Sequence, residues 1–526
     1  MRIEAYFALA FLVTASIAQQ WGTNPENSRA LRFNYTLTPL DEYILRYDPN
    51  YSYDLVRTYT KEDHVVYVLN MTSQVCIIDF SRLFNLKIGI INYLYWQMWR
   101  NETDSDHPVW WHWLAVAVPN DLKHGSDGFI YIGSGNNRNP DAPPNADSRN
   151  IRRAGQLCVQ VGAVAAYLWQ IPNQPIRLRE DDDDTQDGRV EDSLIALTWR
   201  LYLEDPTSKD ILLRLPMTKA VVKAMDTIED FIRGQNGNTV NRFMLSGASK
   251  RGWTTWTTAA FDVRVKAMAP TVLTILNMYK NLKNHYRSLG GWTFVFGDYW
   301  SEELTTKMET QEFVMLRDIV DPYSYRERFT MPTLVVAGSS DEFFLPDESR
   351  LFFNDLPADA KYMWLVENAG HSITSSPSGE LYWVNLGHFW KAEIVNYVYP
   401  KLTNELTNDN KTATITITTS RPPLNVAAWY AYSLDNGARD FRLRTLSIPI
   451  ESGIKWHSEP VTAISPVKYT KEFSAPTNGT WLAFFLRVEF LQPDNQKLVV
   501  TSEANVVPDT YVLPECFGED CLGFLV

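Results

Sequence analysis

The stretch that most constrains this chain is Asn241–Trp253, NRFMLSGASKRGW. Phe243–Leu245 reads as a short apolar strand, and Lys250–Ala260 as a helix that follows almost at once. A chain that turns so abruptly from a buried strand into a helix leaves one residue at the apex. Here that residue is Ser249, with Gly247 two positions before it, which is the shape of a nucleophile elbow. Glycine suits position 247 because strand and helix pass too close there for a side chain. The usual elbow has another glycine two residues after the serine. This sequence has Arg251 at that place and Gly252 after it. The helix still packs if Gly252 faces the strand. Arg251 then either pairs with a carboxylate such as Glu191 or Asp192 or points at a substrate, and the structural pair is the preferred reading.

A serine hydroxyl is almost wholly protonated at neutral pH, so it needs a base, and the base needs an orienting carboxylate. Two later segments supply both. The strand-like run Thr333–Ala337 leads into Gly338-Ser339-Ser340-Asp341, and Tyr362–Val366 leads into Glu367-Asn368-Ala369-Gly370-His371. Ser249, Asp341 and His371 therefore occur in the order serine, acid, histidine, each just past the carboxyl end of a strand, where open α/β sheets bind ligands. Asp347 and Glu342 are the alternative acids. An oxyanion also needs donors. The backbone N–H of Lys250 is one candidate. The other is the loop after Phe129–Ile132, namely Gly133, Ser134, Gly135 and Asn136, running to Asn137.

Other short apolar runs, Val65–Met71, Trp110–Val118, Ala165–Ile171 and Val265–Val272, alternate with helical periodicity at Ser148–Ala163, Val190–Leu203 and Thr218–Arg233. That alternation predicts a mostly parallel sheet covered on both faces. Residues 277–330 read as an inserted cap rich in aromatic side chains, and His285 within it is a candidate for reaching the site. Thr23–Glu62 reads as a polar, Tyr-rich wrap on the surface, and Tyr93–Arg100 as a strand or short helix. Asp181–Asp184 reads as a solvated acidic loop.

Beyond a polar Asn/Thr stretch near 402–410 the pattern changes to short β-runs, Thr412–Thr418, Val426–Tyr432, Phe441–Ile448, Val467–Phe473, Trp481–Phe490 and Leu498–Val506. They predict a small antiparallel sandwich over 410–513. With 526 residues the chain is long enough for two such units. The domains are therefore expected at 19–403 and 410–513, with a tail at 514–526.

Met1–Ala18 has the layout of a secretory signal peptide, with an apolar core at Tyr6–Val13 and small residues at Ser16-Ile17-Ala18. It is too short to span a bilayer, and no later stretch reaches the needed length. Asn34, Asn50, Asn70, Asn101, Asn410 and Asn478 each begin an N-x-S/T triplet, in keeping with a secreted glycoprotein. Cys516 and Cys521 are close enough to pair and close the tail, which leaves Cys76 with Cys158 as a second bridge or as two free thiols. No metal-type cysteine spacing occurs, and neither metal nor cofactor is expected. A net charge of −13 argues against a nucleic-acid partner.

Gly247-Ala248-Ser249-Lys250-Arg251-Gly252-Trp253-Thr254-Thr255-Trp256 resembles the hallmark of the PhoPQ-activated pathogenicity-related family of α/β-hydrolase-like proteins. Trp110-Trp111-His112, Pro172-Asn173-Gln174-Pro175, Glu191-Asp192 and Asp341-Glu342-Phe343-Phe344 extend the resemblance over roughly residues 35 to 510. The resemblance implies an α/β-hydrolase fold with Ser249, Asp341 and His371 as its catalytic set and a small immunoglobulin- or fibronectin-like β-sandwich domain behind it. The family includes bacterial proteins and secreted amoebal proteins that restrain growth. Three functions follow as expectations. The first is a secreted serine hydrolase acting on a peptide or a small ester or amide, with an exopeptidase leading. The second is an extracellular signal that engages a cell-surface receptor, with the catalytic set idle or secondary. The third is a carbohydrate-active esterase whose Trp-rich surface stacks sugars.

Overall fold

The computed structural model describes residues 36–46, 48, 51–74, 99–100, 103–182, 187–445, 450–492 and 495–526. Nine strands form the first part of one large sheet. They are β1 (Ser52–Thr60), β2 (His64–Gln74), β3 (Trp110–Pro119), β4 (His124–Ile132), β5 (Ala163–Leu168), β6 (Arg242–Ala248), β7 (Val265–Thr271), β8 (Thr333–Gly338) and β9 (Lys361–Val366). Their spatial order is β1-β2-β3-β5-β4-β6-β7-β8-β9. The first three and β5 pair antiparallel, and every pair from β5-β4 through β8-β9 is parallel. An antiparallel start, a β5/β4 swap and a run of parallel strands make this an α/β-hydrolase type of sheet.

The longer helices are α1 (Pro39–Leu45), α2 (Arg149–Val161), α3 (Glu191–Glu204), α4 (Arg214–Asn236), α5 (Lys250–Phe261), α6 (Met278–Leu289), α7 (Gln311–Val320) and α8 (Gly379–Ile394). Strand residues alternate between two cores, as the two-residue period of a strand requires. Ile130, Leu245 and Val335 pack with α3, α4 and α5 on one face. Phe129, Met244 and Leu334 pack with α2 and α8 on the other. Because both faces are covered, β8 is buried along its whole length and Leu334–Ala337 within it is an unbroken apolar run.

The sheet does not stop at β9. Lys497–Thr501 pairs antiparallel with β9, Leu482–Leu491, Asn425–Tyr432 and His457–Pro460 follow, and Asn505–Val507 also pairs with Leu482–Leu491, so the sheet has 14 strands among the described residues. A separate four-stranded sheet, Leu402–Asn408, Thr412–Thr419, Lys468–Ser474 and Thr462–Ser465, completes the C-terminal part. The boundary expected near 403–410 is thus not a break: the polar Asn/Thr stretch is itself a strand, and later strands continue the first sheet. The expected strand at Phe441–Ile448 is also absent in its first part. Phe441 is buried, Arg442 pairs with Asp440, and the Leu443 N–H donates to Ser340 O, so this segment is a buttress. Residues 446–449 lie outside the described residues, as do most of Tyr93–Arg100 and the expected signal peptide.

Cys516 and Cys521 form a disulfide. The expected Cys76–Cys158 bridge involves a residue outside the described ones. Cys158 is a buried free thiol on α2 that donates to Gly155 O, and Cys76 lies outside the described residues. Asn410 and Asn478 are exposed and Asn70 is half-buried in β2, while Asn34, Asn50 and Asn101 lie outside the described residues. Asp181 is not solvated as expected. Its carboxylate is almost fully buried against the Arg189 guanidinium at 2.8 Å, while Asp183 and Asp184 lie outside the described residues. Among the described residues, no helix is long and apolar enough to cross a membrane, and no group of three or more His, Cys, Asp or Glu side chains could hold a metal ion.

Candidate active site

Ser249 sits between β6 and α5 at φ 58° and ψ −123°, a backbone conformation that costs a non-glycine residue strain. Two hydrogen bonds hold it there. Its N–H donates to Thr271 O at 2.9 Å, and its carbonyl accepts from Trp253 N–H at 3.0 Å to start the helix. Both flanking glycines are places of close approach. A Cβ on Gly247 would lie 2.7 Å from Arg251 O, and one on Gly252 would lie 2.7 Å from Thr271 O and 3.1 Å from Gly247 O. Gly252 therefore serves where the usual elbow has its second glycine, one residue later, facing the ends of both β6 and β7.

The displaced position is filled by a buried ion pair. Arg251 donates from Nη1 and Nη2 to the two carboxylate oxygens of Glu191 at 2.7 and 2.5 Å, and from Nε to Ile171 O at 2.5 Å. Burial raises the Glu191 carboxyl, but Arg251 outweighs it and holds the group down at about 2. Arg251 is thus committed to the scaffold, and its alternative role as a substrate contact does not hold. Lys250 is paired in the same cluster, its Nζ 2.5 Å from Asp192 Oδ2, and Asp192 also accepts from Tyr299 OH at 2.9 Å.

Asp341 follows β8 and His371 follows β9. His371 Nδ1 lies 2.8 and 3.0 Å from the two oxygens of the buried Asp341 carboxylate. Nε2 of His371 is buried and has no hydrogen-bond partner among the described residues. No hydrogen bond joins it to Ser249. The serine lines a small cavity of about 60 Å³, and the histidine lines a larger cleft of about 440 Å³. Phe343 belongs to both walls, and its ring centroid is 4.4 Å from that of His371.

The alternative acids have other duties. The Asp347 carboxylate is buried against the Arg439 guanidinium at 2.6 Å. Glu342 accepts the backbone N–H of His371 at 2.7 Å, and burial raises its carboxyl above the usual range. Glu342 therefore fixes the loop that carries the histidine. So do residues from the C-terminal part. Trp456 Nε1 donates to Ser340 Oγ at 2.9 Å, and Trp456 N–H and O bond the Asn368 side chain at 2.8 and 3.2 Å. Nothing local in the sequence marked Trp456, because its partners lie about a hundred residues earlier.

The loop after β4 is only partly available as an oxyanion site. Gly133 N–H donates to Leu168 O at 2.7 Å and Asn137 N–H to Gln174 O at 2.6 Å, which removes Gly133 from the candidate donors and leaves Ser134, Gly135 and Asn136. The Lys250 N–H opens α5, where the helix dipole favours negative charge. His285 does not reach the site. It is buried, its ring stacks on Phe296 at 4.7 Å, and its Nε2 accepts the Thr293 N–H at 3.2 Å. Burial pushes that imidazole down to about 3, so it stays neutral.

Residues 84–442 match the profile of the PhoPQ-activated pathogenicity-related protein family. Autocrine proliferation repressor protein A of Dictyostelium discoideum is 35% identical over 500 residues, which cover 92% of this chain and 94% of that protein. Among solved structures, acetyl xylan esterase 1 from Thermoanaerobacterium sp. JW/SL YS485 shares 14% identity and a TM-score of 0.42, covering 70% of this chain and 98% of its own. The acylaminoacyl peptidase of Pyrococcus horikoshii shares 13% identity and a TM-score of 0.34, covering 64% of this chain and 49% of its own. Likenesses this distant carry no information about the reaction.

Proposed function

This chain belongs to the PhoPQ-activated pathogenicity-related protein family, and we propose that it works as a secreted serine hydrolase that cuts an amide or ester bond. The observation that carries this reading is His371 Nδ1 held by both oxygens of the buried Asp341 carboxylate, with Nε2 unpartnered, on the sheet edge where Ser249 occupies its strained turn. An imidazole oriented at one nitrogen and unpartnered at the other is a base waiting for a proton donor.

In this reaction Ser249 Oγ attacks the carbonyl carbon while its proton passes to His371 Nε2. Asp341 keeps the other proton on Nδ1 and stabilises the imidazolium. The oxyanion takes the Lys250 N–H and a second N–H from Ser134, Gly135 or Asn136. His371 then protonates the leaving group, and water repeats the cycle to free the acid. Oγ and Nε2 must close to hydrogen-bond distance for this, a contact that is often long before substrate binds. The Phe343 ring, shared by the two cavities, has to yield as they close.

The small volume of the cavity beside Ser249, about 60 Å³, favours a short group there over a bulky chain, which supports an exopeptidase or a small-ester hydrolase. A panel of chromogenic esters and dipeptides tests this. Turnover by the wild type that is lost in His371→Asn supports the reading. A folded wild type that turns over none of the panel contradicts it.

A second reading has its own support in the relative named as an autocrine proliferation repressor. On that reading the chain is an extracellular signal for a cell-surface receptor. Ser249→Ala protein that still slows proliferation fully would favour the signal alone, and loss of the effect would favour catalysis.

A further inference from the structure

Three cations and two carboxylates cluster around the Ser249 turn, and of these Arg214, Lys250 and Asp192 line the cavity. Arg251 is matched by Glu191 and Lys250 by Asp192, at 2.5 Å in each case. Arg214 is left over. It lines the cavity together with Ser249, its side chain is 2% exposed, and no carboxylate among the described residues makes an ion pair with it. Its partners are few. Nη1 donates to Lys250 O at 3.0 Å, the guanidinium lies 4.0 Å over the Trp253 ring, and Nε is buried with no acceptor. Burial is the main force on it and lowers its guanidinium to about 10.

Arg214 also opens α4, whose first turn contains no acidic residue. A cation there faces the positive end of the helix dipole. A buried, unpaired charge is strongly unfavourable, and replacing such groups with apolar ones is often neutral or stabilising. The fold therefore bears two costs at one side chain, beside the candidate nucleophile, with one carbonyl and one ring in return. Costs of this kind concentrate at functional sites.

We propose that Arg214 is the recognition residue of a carboxylate subsite in this cavity, and that the preferred substrates carry a carboxylate on a short apolar chain next to the scissile carbonyl. This deepens the hydrolase reading and rests on it. The size of the cavity sets the length. At about 60 Å³ it holds about four to six water-sized groups, enough for a succinyl-like chain. Apart from the Lys250–Asp192 ion pair, its other walls are mostly apolar and aromatic, Leu273, Ile275, Trp253 and Phe344 among them, so the methylenes of such a chain are sheltered while its charge meets Arg214.

The first arm of the test is kinetic. The ratio of kcat/KM for p-nitrophenyl hemisuccinate to that for neutral p-nitrophenyl butyrate should exceed tenfold in the wild type. It should fall at least tenfold in Arg214→Met and less in Arg214→Lys. A merely structural role would lower both rates together and leave the ratio unchanged, which would overturn the proposal. The same ratio for N-acetylalanine against its amide tells whether the carboxylate sits on the leaving side. The second arm needs no turnover. Calorimetric titration of Ser249→Ala protein with monomethyl succinate should show binding that dimethyl succinate lacks and that Arg214→Met weakens at least tenfold. Equal binding with and without Arg214, or no binding at all, overturns the subsite. A wild type inert to every ester but with Arg214-dependent binding would leave the subsite standing and contradict the hydrolase reading instead.

Discussion

Replacing Glu191 with glutamine should destabilise the elbow by an amount that replacing Arg251 as well largely restores. Glu191 takes both guanidinium N–H groups of Arg251, a side chain only 8% exposed. Glutamine keeps one acceptor oxygen but removes the countercharge from a buried cation. The drop of the Glu191 carboxyl from 4.5 to about 2 corresponds to about 3 kcal/mol at 1.36 kcal/mol per pH unit. The Glu191 side chain is 32% exposed, so solvent screening brings the coupling to about 2 kcal/mol. Lys250 Nζ, 3.5 Å from Glu191, does not substitute for Arg251 because it is held by Asp192. Urea unfolding followed by tryptophan fluorescence on the wild type, Glu191→Gln, Arg251→Met and the double variant gives the coupling directly. Each single change should cost about 2–3 kcal/mol, with the double well short of their sum. Costs that add to within about 0.5 kcal/mol would refute the assignment of Arg251 to the scaffold.

Other outcomes follow from the same geometry. Because the folded Glu191 carboxyl is depressed, its contribution is present above about pH 4.5 and is lost as pH falls toward about 2. Acid unfolding of the wild type should therefore steepen in that window, and Glu191→Gln should flatten it. A Cβ on Gly338 would lie 2.5 Å from Gly370 O and 2.7 Å from Ala369 O, so Gly338→Ala should push the Asp341 and His371 loops apart and cut kcat by about a hundredfold with the fold retained. Asp341→Asn should lower kcat by about ten-thousandfold, since the amide favours the wrong imidazole tautomer. An effect under tenfold would point to Glu342 as the working carboxylate.

Much of this site was legible because parallel strands buried on both faces leave unbroken apolar runs. Leu334–Ala337 and Tyr362–Val366 could be recognised from composition, and the residues just past them are Asp341 and His371. Gly247 and Gly252 were legible for a similar reason, since close backbone approach leaves glycine as its mark. What failed depended on pairing across long distances. Ser52–Thr60 looks like a surface wrap in sequence because its burial is poor and it lies at the edge of the sheet. The helix Gly379–Ile394 leaves no periodic stripe in the sequence because it is buried over most of its circumference. His285 is a candidate by its place in the cap, yet its ring is stacked on Phe296, 11 residues later, and buried. Likewise a Gly-rich loop suggested Gly133 as a donor, and only the register with Leu168 shows that its N–H is already used.

The central claim is that Ser249 is an activated nucleophile. A fluorophosphonate probe reacts with serine hydroxyls that a neighbouring base activates, so labelling of the purified protein tests it most directly. The account predicts stoichiometric labelling of the wild type, none in Ser249→Ala, and sharply slowed labelling in His371→Asn. A folded wild type that stays unlabelled, or a label that persists in Ser249→Ala, would contradict it.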